Sequence, residues 1–398
     1  MAISPKDIYP SQVDTTDPTG YPYGKAQNVS SPGDGSGTPL EKDWLSDWFG
    51  FQQAALDADG ATPSGAPDKV GASQVLTAIL GEARRSYASL NWKIHQPEAT
   101  FSGSGDYMRD VAFAPDFYYA GTGYLDTIVA VGDDGGLYYT PDAHLWGTLA
   151  PAGGYSGDLN GVAWLAGLSL WCVVGDNGEV QTSPDIVSWT KRALPGSPTS
   201  NLQKVVWNSD LGLAVIVGQN GGIWTSTNGT SWTQRTAGGG YSGEFLGIAW
   251  SSSLALFVAV GDSAEIQTSP DGVTWTSRAN TAESWIRGVT WSPKLGLFAI
   301  ASDDGFDGKI LTSPDGITWT ERAITQSTSA IHWSDSLKAF ISDGAGASLE
   351  ARGYYVSKDG FSWTLHQRNM SNVRGFADAR GFVVAAGKFG RVYLSGSV

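Results

Sequence analysis

A seven-residue box that returns at a fixed interval restricts this chain more than any other feature. Ser183-Pro184-Asp185-Ile186-Val187-Ser188-Trp189 recurs as Ser226-Thr227-Asn228-Gly229-Thr230-Ser231-Trp232 and as Ser269-Pro270-Asp271-Gly272-Val273-Thr274-Trp275. The segments Ser313 to Trp319 and Ser357 to Trp363 follow the same pattern, and Thr140 to Trp146 is a weaker copy. The tryptophans Trp146, Trp189, Trp232, Trp275, Trp319 and Trp363 lie 43, 43, 43, 44 and 44 residues apart. Self-similarity at a period of roughly 20–50 residues marks a solenoid, a propeller or an array.

A second motif runs in phase: Gly161-Val162-Ala163-Trp164, Val205-Val206-Trp207, Gly247-Ile248-Ala249-Trp250, Gly288-Val289-Thr290-Trp291 and Ile331-His332-Trp333, with Phe113 and Phe376 as aromatic variants. Between the motifs lie an apolar run, such as Leu256 to Val260, and a short alternating stretch, such as Glu265 to Thr268. Each period therefore reads as four short strands separated by turn residues. Four strands per ~43 residues predict a propeller blade. Helical repeats would need a 3.6-residue periodicity, which these segments lack.

The chain is expected to be mainly β, a seven-bladed β-propeller over residues 89–398, preceded by a coil-plus-two-helix attachment region over 1–88. It ends on three strands, near Phe376, Phe382 to Ala386 and Arg391 to Leu394, and the repeat opens with an orphan fourth strand around Leu90 to His95. That N-terminal outer strand is expected to close the last blade, with Trp92 as the seventh box tryptophan, and closure limits exposed sheet edges. The box itself reads as structural. Asp and Asn side chains accept hydrogen bonds from backbone N–H groups two residues on, and the following Gly permits positive φ. The boxes and the second motif absorb twelve of the 17 tryptophans, Trp171 and Trp224 fall on expected strands, and Trp44, Trp48 and Trp285 lie outside.

The first eighty residues differ in composition, being rich in Pro, Gly, Asp, Ser and Thr. Thr38, Pro39 and Glu41 form a capping box with a proline at the first helical position, so a helix is expected from Thr38 to about Asp59. A second is expected from Asp68 to about Ala88. Trp44 and Trp48 share a face, and with Phe49 and Phe51 they are candidate tail-attachment or oligomer contacts, because two short amphipathic helices cannot bury much alone.

A net charge of −14 argues against nucleic acid and against an anionic membrane surface. No apolar run approaches the ~18 residues of a membrane span. The lone Cys172 excludes an intramolecular disulfide, and His95, His144, His332 and His366 show no zinc-ligand spacing, so no metal and no cofactor is expected. Arg109, Lys204, Arg287 and Arg374 occur just before first strands and could converge at one end of the central channel on an anionic ligand, with Trp285 beside Arg287 available to stack on a sugar. Aspartates in turns on that face, including Asp133, Asp176, Asp262 and Asp303, could equally pair with those cations.

The boxes resemble the Asp-box repeats of sialidase-like propellers, one residue shorter than the usual Ser-x-Asp-x-Gly-x-x-Trp. A sialidase active site is not expected, because Tyr107-Met108-Arg109-Asp110 stands where that family carries Phe/Tyr-Arg-Ile-Pro. Before the propeller, Tyr21-Pro22-Tyr23-Gly24-Lys25-Ala26-Gln27-Asn28-Val29, Pro32 to Pro39, Asp47 to Gln53, Thr62 to Gly65 and Asp68 to Gln74 resemble the N-terminal region of phage tail-fibre and tailspike proteins. That resemblance implies attachment to other phage tail proteins, often as a homotrimer, and the leading expectation is a non-enzymatic virion protein made in the host cytoplasm. It also implies a distal part facing a host cell-surface glycan or protein receptor. An architectural collar or baseplate part and a tailspike-like glycan hydrolase are the alternatives.

Overall fold

The computed structural model describes residues 13–14, 25–26, 93–95 and 107–394, the last apart from 120–122, 142, 144–145, 280–284, 304–307, 345–352, 368–372, 380 and 388–391. The chain divides into two compact units, Met1–Glu82 and Ala83–Val398. In the first, Val13–Asp14 pairs antiparallel with Lys25–Ala26. The two expected helices, with Trp44, Trp48, Phe49 and Phe51, lie outside the described residues, as does Trp92.

The second unit is a β-propeller. Blade 1 comprises strands Met108–Tyr119, Gly123–Gly132, Leu137–Thr140 and Gly147–Thr148. Blade 2 comprises Leu159–Leu165, Leu170–Gly175, Val180–Ser183 and Thr190–Lys191, and blade 3 Leu202–Asn208, Leu213–Gly218, Ile223–Ser226 and Thr233–Arg235. Blade 4 comprises Phe245–Ser251, Leu256–Gly261, Ile266–Ser269 and Thr276–Ser277. Blade 5 comprises Trp285–Ser292, Leu297–Asp303, Gly308–Ser313 and Thr320–Arg322, and blade 6 Ile331–Ser334, Ala339–Gly344, Gly353–Ser357 and Thr364–Gln367. A further four-stranded sheet is composite: Gly375–Ala379, Phe382–Ala386 and Val392–Leu394 are joined by Lys93–His95, in the register Lys93 to Leu394, Ile94 to Tyr393 and His95 to Val392. The expectation of seven blades thus resolves into six blades contiguous in sequence and one composite sheet. First strands of successive sheets touch around a ring, and that of the composite sheet touches blade 1.

The core is divided among the gaps between sheets. Leu213, Val215 and Ile223 of blade 3 pack with Phe245, Ile248, Phe257 and Trp275 of blade 4. Met108, Val111, Ile128 and Ala130 of blade 1 pack with Ala377, Val384 and Ala386 of the composite sheet. In blades 4, 5 and 6 a first-strand tryptophan, a second-strand phenylalanine and the box tryptophan run in series. The centroid distances are 4.5 and 6.2 Å in blade 4, 4.6 and 6.5 Å in blade 5, and 5.0 and 5.9 Å in blade 6. Cys172 is fully buried, and burial pushes its thiol up to about 12, as an inert core residue requires.

The box is a turn device. Asp271 Oδ1 accepts the N–H groups of Val273 and Thr274, both at 2.8 Å, and Ser269 Oγ accepts the Gly272 N–H at 2.8 Å. Gly272 sits at φ +71°, where a side chain would be strained. Trp275 Nε1–H closes the box on the Gly272 carbonyl at 3.1 Å. The arginines three residues after the box tryptophans also serve the frame. The Nε–H groups of Arg192, Arg235, Arg278 and Arg322 donate to Thr182, Thr225, Thr268 and Thr312 at 2.7–2.9 Å.

The backbone N–H of Thr274 holds the Asp271 carboxyl below the usual carboxylate range, and that of Ser362 does the same for Asp359. A lowered folded-state pKa gives stability that is complete above the ordinary value near 4 and is lost as pH falls through the folded value. Asp271→Ala should cost about 1 kcal/mol at neutral pH. That deficit should shrink in urea melts at progressively lower pH below about 4. Removing residues 1–96 should expose the edge of Val392–Leu394. The product should melt at lower temperature and aggregate more than a chain lacking only residues 1–82, in thermal melts followed by light scattering.

Candidate ligand-binding site

Five first strands begin with the same irregularity at the same end of the channel. Their pairing register skips one residue each: Arg109, Asn160, Gln203, Leu246 and Arg287 in blades 1 to 5. A bulge leaves its extra residue out of the ladder and re-aims the side chain. All five side chains line one mouth of about 70 Å³, together with Lys204, Ser329 and Arg374. Below it the channel widens to about 260 Å³, and His332, Ile248, Val289 and Phe376 are among its walls. Glycine follows the mouth residue at Gly161, Gly247, Gly288 and Gly375 because the next strand is close. A Cβ at Gly161 would stand 2.9 Å from the Gln203 carbonyl oxygen, and one at Gly375 would stand 2.8 Å from Asp110 Cα.

Arg109, Lys204, Arg287 and Arg374 therefore converge. Three of them already face carboxylates. Arg109 pairs with Asp133, reaches Asp158 Oδ2 at 2.5 Å and donates to Asn160 Oδ1 at 3.1 Å. Lys204 Nζ lies 2.7 Å from Asp110, whose other oxygen accepts the Val162 N–H at 3.1 Å. Arg287 Nε lies 3.1 Å from Asp303, which also accepts Ser327 Oγ–H at 2.7 Å. Arg374 makes no ion pair among the described residues and lies 5.6 Å from the Tyr107 ring centroid. Desolvation and the positive charges of Arg287 and Arg109 lower its pKa, yet a guanidinium keeps its proton in proteins.

Trp285 stands beside the mouth, not in it. It is 38% exposed, its ring lies 5.1 Å from the Arg287 guanidinium, and its backbone bridges to Asp262. Asp176 and Asp262 are not partners of the four cations. Asp176 accepts from Asn160 Nδ2 at 2.9 Å, and Asp262 accepts from the Tyr241 hydroxyl.

Asn160, Gln203, Ser329 and His332 were not singled out by sequence. Each precedes or sits within a first strand, so the repeat phase was the available signal. Gln203 donates to Glu244 at 2.7 Å, and burial raises the carboxyl pKa of Glu244. Ser329 and Ala330 donate backbone N–H groups to buried Asp343 at 2.7 and 2.8 Å, and burial pushes that carboxyl up as well. Burial lowers the pKa of His332, whose ring stacks 6.0 Å from Phe376 and whose shielded Nε2 has no protein partner among the described residues.

Solved structures share this architecture. YCF48 bound to a D1 peptide superposes with a TM-score of 0.58 at 17% identity, covering 77% of this chain and 95% of that one. The WD40 propeller domain of Doa1 gives 0.55 at 15% identity, with 75% and 96% covered. The computationally designed Ika8 protein gives 0.52 at 13%, with 73% and 83% covered. At these identities the likeness shows the β-propeller fold alone. No protein-family model and no curated protein sequence matches the chain.

Removing Asp110 would strand Lys204 in the channel wall. Asp110→Ala should destabilise the protein by about 2–3 kcal/mol, and adding Lys204→Met should recover part of that loss. Urea denaturation of the single and double variants measures both effects.

Proposed function

We propose that this chain is a bacteriophage tail protein, a tail fibre or related appendage. Its N-terminal region would anchor it to the tail, and its propeller would be displayed for host adsorption. The motifs between residues 20 and 80 support the virion assignment, together with attachment through Trp44, Trp48, Phe49 and Phe51 and assembly as a homotrimer. The convergence of Arg109, Lys204, Arg287 and Arg374 on one mouth carries the binding part, because guanidinium and ammonium groups gathered at a concave site suit an anionic group on a receptor. The Ser-x-Asp boxes act in this reading as Asp-box-type turns, and the composite sheet as a seventh blade that fastens both ends of the propeller segment.

Binding is favoured over catalysis because the mouth's carboxylates are engaged with its own cations and backbone. Asp133 and Asp158 hold Arg109, Asp110 holds Lys204, Asp303 holds Arg287, and Asp343 caps the Ser329–Ala330 N–H groups. YCF48, similar in fold, binds a D1 peptide, so a propeller of this build can serve as a peptide platform. The same internal pairing favours one second reading, an architectural collar or baseplate part in which those ion pairs only stiffen the ring.

The test is adsorption blocking. Host cells preincubated with the full chain should leave more free phage than untreated cells, and a Trp285→Ala, Arg287→Gln variant should block less. Full adsorption in the presence of well-folded oligomeric protein would favour the architectural part.

A further inference from the structure

The four mouth cations are not equivalent, and the difference specifies what the site can hold. Arg109, Lys204 and Arg287 have their charge answered by Asp133, Asp158, Asp110 and Asp303. The neutral polar groups of the rim are also occupied: Asn160 Nδ2 donates to Asp176 and to the Leu202 carbonyl, both at 2.9 Å, Gln203 donates to Glu244, and Ser329 Oγ–H donates to Asp343 at 2.9 Å. Arg374 differs: it has no ion pair among the described residues and borders both the mouth and the channel below it. His332 also lines that channel, with its Nε2 shielded and without a protein partner among the described residues.

We propose that the channel mouth is a pocket for a single anionic group, with Arg374 as its anchor and the channel below, walled in part by His332, taking the uncharged body beneath it. This inference rests on the mouth being a binding site. The ligand class is a small monocarboxylate carried on an uncharged body, free or at the end of a larger chain. A guanidinium answers a carboxylate with parallel N–H donors. His332 adds no charge to that lining, because burial lowers its pKa and the ring stays neutral near pH 7. A polyanion is disfavoured, because every further negative charge would meet a cation already paired, with Asp133, Asp158, Asp303 and Glu244 close by.

Ligand-observed NMR on the full chain tests this with three probes: glucuronate, glucose and inorganic polyphosphate. Glucuronate should bind at millimolar concentration, glucose should bind more weakly, and polyphosphate should bind no more tightly than glucuronate. Arg374→Gln should weaken glucuronate about 10- to 100-fold, the loss expected for one charged hydrogen-bonded contact. Near-ultraviolet circular dichroism should be unchanged in that variant. Tighter binding of polyphosphate, equal binding of glucuronate by Arg374→Gln, or no glucuronate binding would overturn the proposal. Adsorption blocking that survives Arg374→Gln would sink this pocket while leaving host adsorption standing. Glucuronate binding without adsorption blocking would do the reverse.

Discussion

The spacing of first strands around the central channel is the constraint on which the rest of the propeller depends. Six blades and the composite sheet, arranged in a ring, bring their first strands close, so side chains there compete with neighbouring backbone. Gly161, Gly288 and Gly375 show the result: an added Cβ would meet the backbone of the next strand at 2.9, 3.2 and 2.8 Å. The residue before the glycine is set out of the ladder by a bulge in blades 2, 4 and 5 and so reaches the mouth, and the same bulge precedes Asp110 in blade 1 and Lys204 in blade 3. Closure of the ring and presentation of Asn160, Leu246 and Arg287 are thus two consequences of one packing requirement.

Farther from the axis the gaps widen, and larger side chains fill them. Wide, flat indole rings suit such gaps: Trp275, Trp319 and Trp363 follow Phe257, Phe298 and Phe340 in successive blades. The box turn sets each indole in place, and its backbone hydrogen bonds are charge-assisted. Lys93–His95 pairs with Val392–Leu394, so the ring is fastened by hydrogen bonds between distant parts of the chain.

The period, the four strands per repeat and the turn chemistry of the box were legible because each is local in sequence. Arg109, Arg287 and Arg374 were legible as neighbours because they occupy one phase of the repeat, and Lys204 lies one position later in its blade. Partner choice was not. Asp133 and Asp303 were anticipated as turn acids, but Asp158 and Asp110 were missed as partners, because pairing across blades depends on three-dimensional stagger. A two-copy loop was visible and unread: Gly154-Tyr155-Ser156-Gly157 and Gly240-Tyr241-Ser242-Gly243. Its tyrosine hydroxyls reach carbonyls of the following segment at 3.0–3.3 Å, Asp158 and Asp176 as alternative acceptors in one copy and Glu244 and Asp262 in the other. That Arg374 has no ion pair among the described residues could not be read from sequence at all, since it follows from what the neighbouring strands fail to supply.

Ring geometry builds a mouth in which Arg374, the cation without an ion pair among the described residues, is the anchor we propose. A crystal structure of the full chain soaked with glucuronate tests that role most directly. The carboxylate should lie within hydrogen-bond distance of the Arg374 guanidinium, with the ring of the sugar in the channel towards His332 and the ion pairs of Arg109, Lys204 and Arg287 intact. Glucuronate bound elsewhere on the propeller, or Arg374 folded onto a carboxylate of the protein with the channel empty, would contradict it.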